Sequence, residues 1–389
     1  MNGRILPIII FSQFCCASIW FATNGILTDL AICFNFGKES LADLTSAVQF
    51  GFIAGTLLLA FFTISDRFSP SKVFFVSALL GAAFNLATLV STNNLQSLIG
   101  LRFVTGICLA GIYPVGMKIA ADHYDKGLGK SLGLLVGALV LGTAFPHFIN
   151  LLSASIHWEI VILLTSGLAL SGGILMLAYV PDGPYRKPSQ KTDLRAFFNV
   201  FKQKTFRSAA FGYFGHMWEL YTFWAFVPFI LSFYSDTNHL DIDIQLWSFL
   251  IIGIGAPACV LSGYISEKVG SKKVATISLF LSCICCIVSP LFFQSSNFLI
   301  LSLFLLFWGF TVMADSPLFS TLVAHNAPTD KKGTALTMVN SIGFAITIIS
   351  LQVLAFLKNQ IPFRYLFLVL AIGPFMGLIS LTKAKSRAL

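Results

Sequence analysis

The sequence predicts an all-α membrane protein whose twelve transmembrane helices form two pseudo-symmetric six-helix bundles. Three observations predict it. Residues 5–28, 44–65, 73–101, 131–158, 244–266, 274–314 and 334–357 contain no Asp, Glu, Lys or Arg, and about 20 apolar residues cross the hydrocarbon core. Hydrophobic residues make up 56% of the chain and charged ones 11%, against about 25% charged in soluble domains. One long polar segment, 181–205, separates two halves that resemble each other.

Taken in order, spans are expected at 5–30, 44–64, 72–91, 97–121, 129–152 and 158–180, then at 206–233, 245–266, 273–293, 297–323, 333–357 and 363–382. The first is long enough to span and lacks a small-residue cleavage site, so it is expected as a helix and not as a cleaved signal. The run 274–314 holds two crossings joined by the polar turn Gln294-Ser295-Ser296-Asn297. Segment 181–205 carries Pro181, Pro184 and Pro188 among Arg186, Lys187, Lys191, Arg195, Lys202 and Lys204. It is expected as a cytoplasmic linker between a bundle at 1–180 and a second at 206–389. The spans use almost the whole chain, which leaves no room for a sizeable soluble domain.

A net charge of +9 raises the question of nucleic acid, but the basic residues sit in short loops between apolar spans. The expected partners are therefore the bilayer, a small-molecule substrate and protons, with no nucleic acid and a monomeric chain. Lys/Arg bias sets orientation. With the N-terminus in the cytoplasm, every Lys and Arg except Lys38, Arg102, Lys358 and Arg364 falls on the cytoplasmic side, while Glu39, Asp43, Asp236, Asp241 and Asp243 fall outside. A multi-pass protein of the inner membrane with both termini cytoplasmic is expected. The eight cysteines lie almost wholly inside spans and show no metal spacing. They are expected as small core residues, with no metal and no cofactor.

The halves align as parallel repeats offset by about 200 residues, an arrangement that places a binding site near the midplane between them. Phe11-Ser-Gln-Phe14 matches Phe211-Gly-Tyr-Phe214, and Asp66-Arg67 matches Glu267-Lys268. Gly106 and Pro114 are spaced like Gly309 and Pro317, and Lys126-Gly127 matches Lys332-Gly333. On these residues the chain resembles the major facilitator superfamily over nearly its full length. The family's loop signature is close in Gly263-Tyr-Ile-Ser-Glu267-Lys268-Val-Gly270-Ser-Lys272-Lys273. It is degraded in Phe62-Thr-Ile-Ser-Asp66-Arg67-Phe-Ser-Pro-Ser-Lys72, where Phe62 and Ser69 replace glycines. The resemblance implies a cytoplasmic gate at Asp66, Arg67, Glu267 and Lys268. Arg102-Phe-Val-Thr-Gly106-Ile-Cys-Leu-Ala110 matches a family pattern whose Arg is associated with proton transfer. The family's antiporter pattern is incomplete here, since Ala138 stands at its Pro and Leu141 at one Gly.

Arg102, Lys118, Glu219 and Asp315 are ionisable residues inside spans, each costing about 2.5–3.5 kcal/mol on insertion scales. Such residues need a partner or a wet cavity. Lys118 lies near a span end and can snorkel. Glu219 sits mid-span, one turn from His216, where a carboxyl group can exchange a proton. Asp315 precedes Ser316-Pro317, where the proline frees a carbonyl. Glu219, Arg102 and Asp315 are thus the expected proton-coupling residues. By the resemblance, spans 1, 4, 7 and 10 line the cavity, which makes Trp20, Asn24, Tyr113, Glu219, Tyr221, Trp224 and Asp315 the expected substrate-binding set.

The expected function is a proton-coupled secondary transporter of a small organic solute working by alternating access, with symport import ahead of antiport export of amphipathic compounds. No phosphate-binding loop points to ATP drive. An enzyme is not expected, because the histidines are scattered and no nucleophile cluster occurs. A non-transporting membrane sensor or scaffold is the reading from another class.

Overall fold

The computed structural model describes residues 5–37, 40–124, 128–152, 157–186, 200–328 and 332–383. The expected linker residues 187–199 lie outside these, as do Lys38, Glu39, Lys126 and Gly127. The described chain is all helical, without a strand. Contacts group it into two compact units, Met1–Ser189 with Asp243–Ala256 and Gln190–Ile242 with Pro257–Leu389.

The first unit is built from α1 (Ile5–Ala17), α2 (Leu27–Cys33), α3 (Leu41–Phe61), α4 (Ile64–Arg67), α5 (Pro70–Leu86), α6 (Leu95–Ala110), α7 (Tyr113–His123), α8 (Leu128–Leu152) and α9 (Glu159–Tyr179). In the later chain come α10 (Lys204–Asn238), α11 (Ile244–Gly253), α12 (Gly255–Val269), α13 (Ser271–Phe293) and α14 (Phe298–Ala314). They are followed by α15 (Ser316–Asn326), α16 (Lys332–Leu357), α17 (Phe363–Leu366) and α18 (Ile372–Lys383). Among the described residues, ten helical spans are long and apolar enough to cross a membrane. The first and seventh expected spans are outside that set. The first is divided into α1 and α2, and α10 is a 35-residue helix carrying charged and polar side chains.

The expected continuous helix over 5–30 is corrected by the structure. It ends at Ala17, and residues 18–23 form turns before a short 3-10 segment at Asn24–Ile26. The local sequence, with Ser18, Thr23 and Asn24, offers side-chain alternatives to helical hydrogen bonds. Ser18 Oγ donates to the carbonyls of Cys15 and Thr165. Spans 4 and 10 break in parallel fashion, between α6 and α7 and between α14 and α15. In each, a proline falls in the first two positions of the second piece, Pro114 and Pro317. Proline is accepted there because its missing N–H has no helical acceptor to lose.

Small residues let the helices approach closely. A Cβ on Gly106 would collide with the backbone of Val48 and Phe52, and one on Gly51 with the carbonyl of Phe103, so α3 and α6 meet backbone to backbone. The family pattern around Arg102 therefore has a packing reason at its glycine. Gly142 of the incomplete antiporter pattern meets Phe14 and Ala17 of α1 in the same way. In the second unit Gly215 of α10 abuts Gly373 of α18.

Candidate functional site

The candidate site lies in the second unit, on the face of α10 that carries His216, Glu219 and Phe223. These residues are spaced three and four apart, which stacks them on one side of a helix. Glu219 is fully buried. Its Oε1 accepts the indole N–H of Trp308 at 2.6 Å and the thiol of Cys286 at 3.3 Å. Its Oε2 accepts the hydroxyl of Ser282 at 2.9 Å. Three helices thus meet at one carboxyl group. Phe223 stacks on Trp308 at 4.5 Å and holds the indole in place.

One turn away, His216 Nδ1 stands 2.8 Å from Asp315 Oδ1, and both residues are buried. Asp315 sits at the break between α14 and α15, where its own carbonyl accepts the N–H groups of Leu318 and Phe319. Both ring nitrogens of His216 and both carboxyl oxygens of Asp315 are buried without a well-formed hydrogen bond among the described residues, so the 2.8 Å approach is a close N···O contact. Asp315 therefore meets α10 one turn from Glu219, on the same face of the helix. Two acids and one imidazole are buried in this part of the second unit.

The ionised form of Glu219 suits its three donors, since a carboxylate only accepts. Ser282 has a second acceptor, the carbonyl of Leu279 at 3.2 Å. Its single hydroxyl proton can turn from one to the other, which leaves Glu219 room to take up a proton of its own.

The structure divides the expected substrate-binding set. Tyr221 is two residues from Glu219, about 200° around a helix, and packs against Trp224 at 5.4 Å and Phe344 of α16 at 5.3 Å. Glu219 meets α13 and α14 and Asp315 meets His216 on the same face of α10, whereas Tyr221 and Trp224 form a separate aromatic group. In the first unit Trp20 packs on Phe52 at 5.0 Å, and Asn24 donates to Thr45 Oγ1 at 3.0 Å. Tyr113 opens α7, half-buried.

Arg102 is 1% exposed. Its guanidinium donates to the carbonyls of Ile19, at 3.0 Å, and Trp20, and to Asn85 Oδ1 at 3.4 Å. Asn85 in turn donates to Ser166 Oγ at 2.9 Å and Thr165 Oγ1 at 3.1 Å. Those carbonyls are the ones left open where α1 ends, so Arg102 braces the break in span 1. Lys118 pairs with Asp122 at 3.3 Å, four residues on in α7.

Of the gate residues, Arg67 and Lys268 are exposed, as is Glu267; the side chain of Asp66 lies outside the described ones. The loop after Arg67 is tied down by residues the sequence analysis did not single out. Ser69 Oγ donates to Asp182 at 2.7 Å, and Arg186 donates to the carbonyl of Phe68 at 2.8 Å while pairing with Asp182 at 2.5 Å. Ser282, Cys286, Trp308 and Asn85 were also missed. A lone Ser, Cys or Asn in an apolar run looks like core; the one signal was Ser282 and Cys286 at i and i+4.

Among curated relatives, an uncharacterized transporter of Buchnera aphidicola (Baizongia pistaciae) is 30% identical over 158 residues, 39% of this chain and 38% of that protein. The 4-hydroxybenzoate transporter PcaK of Pseudomonas aeruginosa is 26% identical over 155 residues, 37% of this chain and 32% of that one. The chain spans between 32% and 38% of the length of these relatives. Among solved structures, the proton:xylose symporter XylE superposes with a TM-score of 0.75 at 14% identity, covering 97% of this chain and 95% of that one. The human organic anion transporter MFSD10 superposes with a TM-score of 0.74 at 16% identity, covering 97% and 99%. The family model described as Major Facilitator Superfamily matches residues 9–351, and with nearly the whole chain matched, this protein belongs to the Major Facilitator Superfamily.

Proposed function

We propose that the chain is a proton-coupled secondary transporter that imports a small organic solute by symport. The observation that carries this reading is the buried group Glu219, His216 and Asp315 at the break between α14 and α15. Buried ionisable residues in a membrane protein are costly, and proton relays are a recurrent reason to keep them. Two acids and an imidazole, with unpartnered atoms on Asp315 and His216, can hold one proton in alternative places. Asp315, joined to His216, is the exchanging group. Glu219 senses it and adjusts through the Ser282 hydroxyl. Arg102 acts by holding span 1 broken beside Trp20.

Organic anions are the first substrates to assay, because the PcaK relatives are 4-hydroxybenzoate transporters. Trp20, Asn24, Tyr113, Tyr221 and Trp224 are the proposed solute contacts, and Asp66, Arg67, Glu267 and Lys268 the proposed cytoplasmic gate. The protein would work as a monomer in the inner membrane with both termini in the cytoplasm, built as six-helix bundles at 1–180 and 206–389 joined by 181–205. The antiport reading loses ground because the helix-5 pattern lacks its proline and Gly142 serves packing.

The test is uptake into proteoliposomes with an imposed pH gradient, starting from labelled 4-hydroxybenzoate within a pool of metabolites. Accumulation driven by an inward proton gradient, and lost in Asp315→Asn, supports symport. Accumulation only against the opposite gradient makes the protein an exporter. Equilibration that ignores the gradient and the mutation removes proton coupling.

A further inference from the structure

A groove of about 220 Å³ runs along the outside of the second unit, lined by Ala258, Leu261, Ile265 and Val269 of α12, by Ile277 of α13 and by Phe310 of α14, among others. Leu261, Ile265, Val269 and Ile277 are exposed, so the groove opens to the surroundings of the helices and not into the site above. Its wall is almost purely apolar. From Ala258 to Val269 it follows eleven residues of helix, about 16 Å at 1.5 Å per residue. That is about one leaflet of a 30 Å hydrocarbon core.

One end of this groove is basic. Lys268 follows Ile265 by three residues and Leu261 by seven, which puts it on the lining face of α12. Lys273 precedes Ile277 by four residues on the lining face of α13. Both lysines are exposed. Glu267 is two residues from Ile265, about 200° around the helix, and so points away. Val269 and Val274, on either side of the Gly270 turn, carry the apolar lining up to the lysines.

We propose that this groove is a binding site for one anionic phospholipid, with an acyl chain along α12 and the headgroup phosphate held by Lys268 and Lys273. A leaflet-long apolar slot that ends in two positive charges complements a chain that ends in a phosphate, and basic positions beside membrane helices attract anionic headgroups. The floor of the slot is Phe310 and Ala314, the last turn of α14 before Asp315. The bound chain thus rests on the segment that ends at the helix break. The site stands on the groove and its charges alone and does not depend on the protein being a transporter.

The test counts bound lipid by native mass spectrometry on the full-length purified protein. Phosphatidylglycerol and phosphatidylcholine with identical chains are titrated separately. Phosphatidylglycerol is expected to bind more tightly, and Lys268→Gln with Lys273→Gln to weaken it by roughly five-fold for each lysine while leaving phosphatidylcholine unchanged. Ser278→Leu, which extends a lining side chain into the slot, should weaken both lipids. Inorganic phosphate in excess should not displace the lipid. Equal binding of the two lipids by the unaltered protein overturns the proposal, as does undiminished phosphatidylglycerol binding by the lysine variant or displacement by phosphate. If the variants fail to fold, the comparison of the two lipids on the unaltered protein decides alone.

Discussion

The indole of Trp308 donates to Glu219 at 2.6 Å, joining α10 to α14 through two buried side chains. The bond explains why an acid can stand in the middle of an apolar helix. It also ties Glu219 to the helix that ends at the Asp315 break.

Trp308→Phe keeps an aromatic ring against Phe223 and removes only the donor. A hydrogen bond to a charged group is worth about 1.5–3 kcal/mol. A loss of that size should appear as a lower thermal midpoint in detergent. No change would mean that Ser282 and Cys286 suffice to hold the carboxylate.

Asp315→Asn and His216→Gln should both abolish gradient-driven accumulation while leaving solute exchange at zero gradient. Counterflow in proteoliposomes measures the second activity separately. If exchange falls together with accumulation, the pair serves binding or folding and not coupling.

Arg102→Lys should destabilise the first unit. A single ammonium group cannot reach both carbonyls and Asn85 as the planar guanidinium does. Leaving one or two buried carbonyls unpaired costs about 2–4 kcal/mol. Thermal unfolding checks this, and faster labelling of a cysteine placed at Ser18 would report the loosened break. Unchanged stability would return Arg102 to the proton-transfer role implied by the family.

Gly106→Val should prevent α3 and α6 from meeting, because its Cβ would strike the Val48 and Phe52 backbone. Loss of monodisperse protein in size-exclusion chromatography is the expected outcome. Gly270→Ala tests a different cause. Nothing lies within 4 Å of the new methyl group, but Gly270 has φ +92° and ψ 134°, a conformation nearly confined to glycine that costs other residues about 1–3 kcal/mol. A small loss of stability without loss of expression is expected there.

Much of the candidate site was legible in the sequence as individual residues and little of it as an arrangement. Glu219, His216, Asp315 and Arg102 stood out because ionisable groups are conspicuous in apolar runs. Their partners did not. Ser282, Cys286, Trp308 and Asn85 are ordinary in composition, and nothing in the spacing within one span says which neighbouring helix it faces. Tyr221 and Trp224 were grouped with Glu219 through the family resemblance of span 7, and the structure shows them packed on each other and on Phe344, apart from the partners of Glu219.

The sequence by itself determined the membrane class, most of the spans and the proline-marked turn in span 10, because hydrophobic length and proline chemistry act locally. Only the tertiary structure decided that span 1 breaks at residues 18–23, that Arg102 serves that break, and that Glu219 meets three donors from two other helices. Those outcomes depend on which faces of separate helices pack together. That packing is chosen by contacts such as Gly106 of α6 against α3 and Gly215 of α10 against α18, whose strength comes from distances no single span contains.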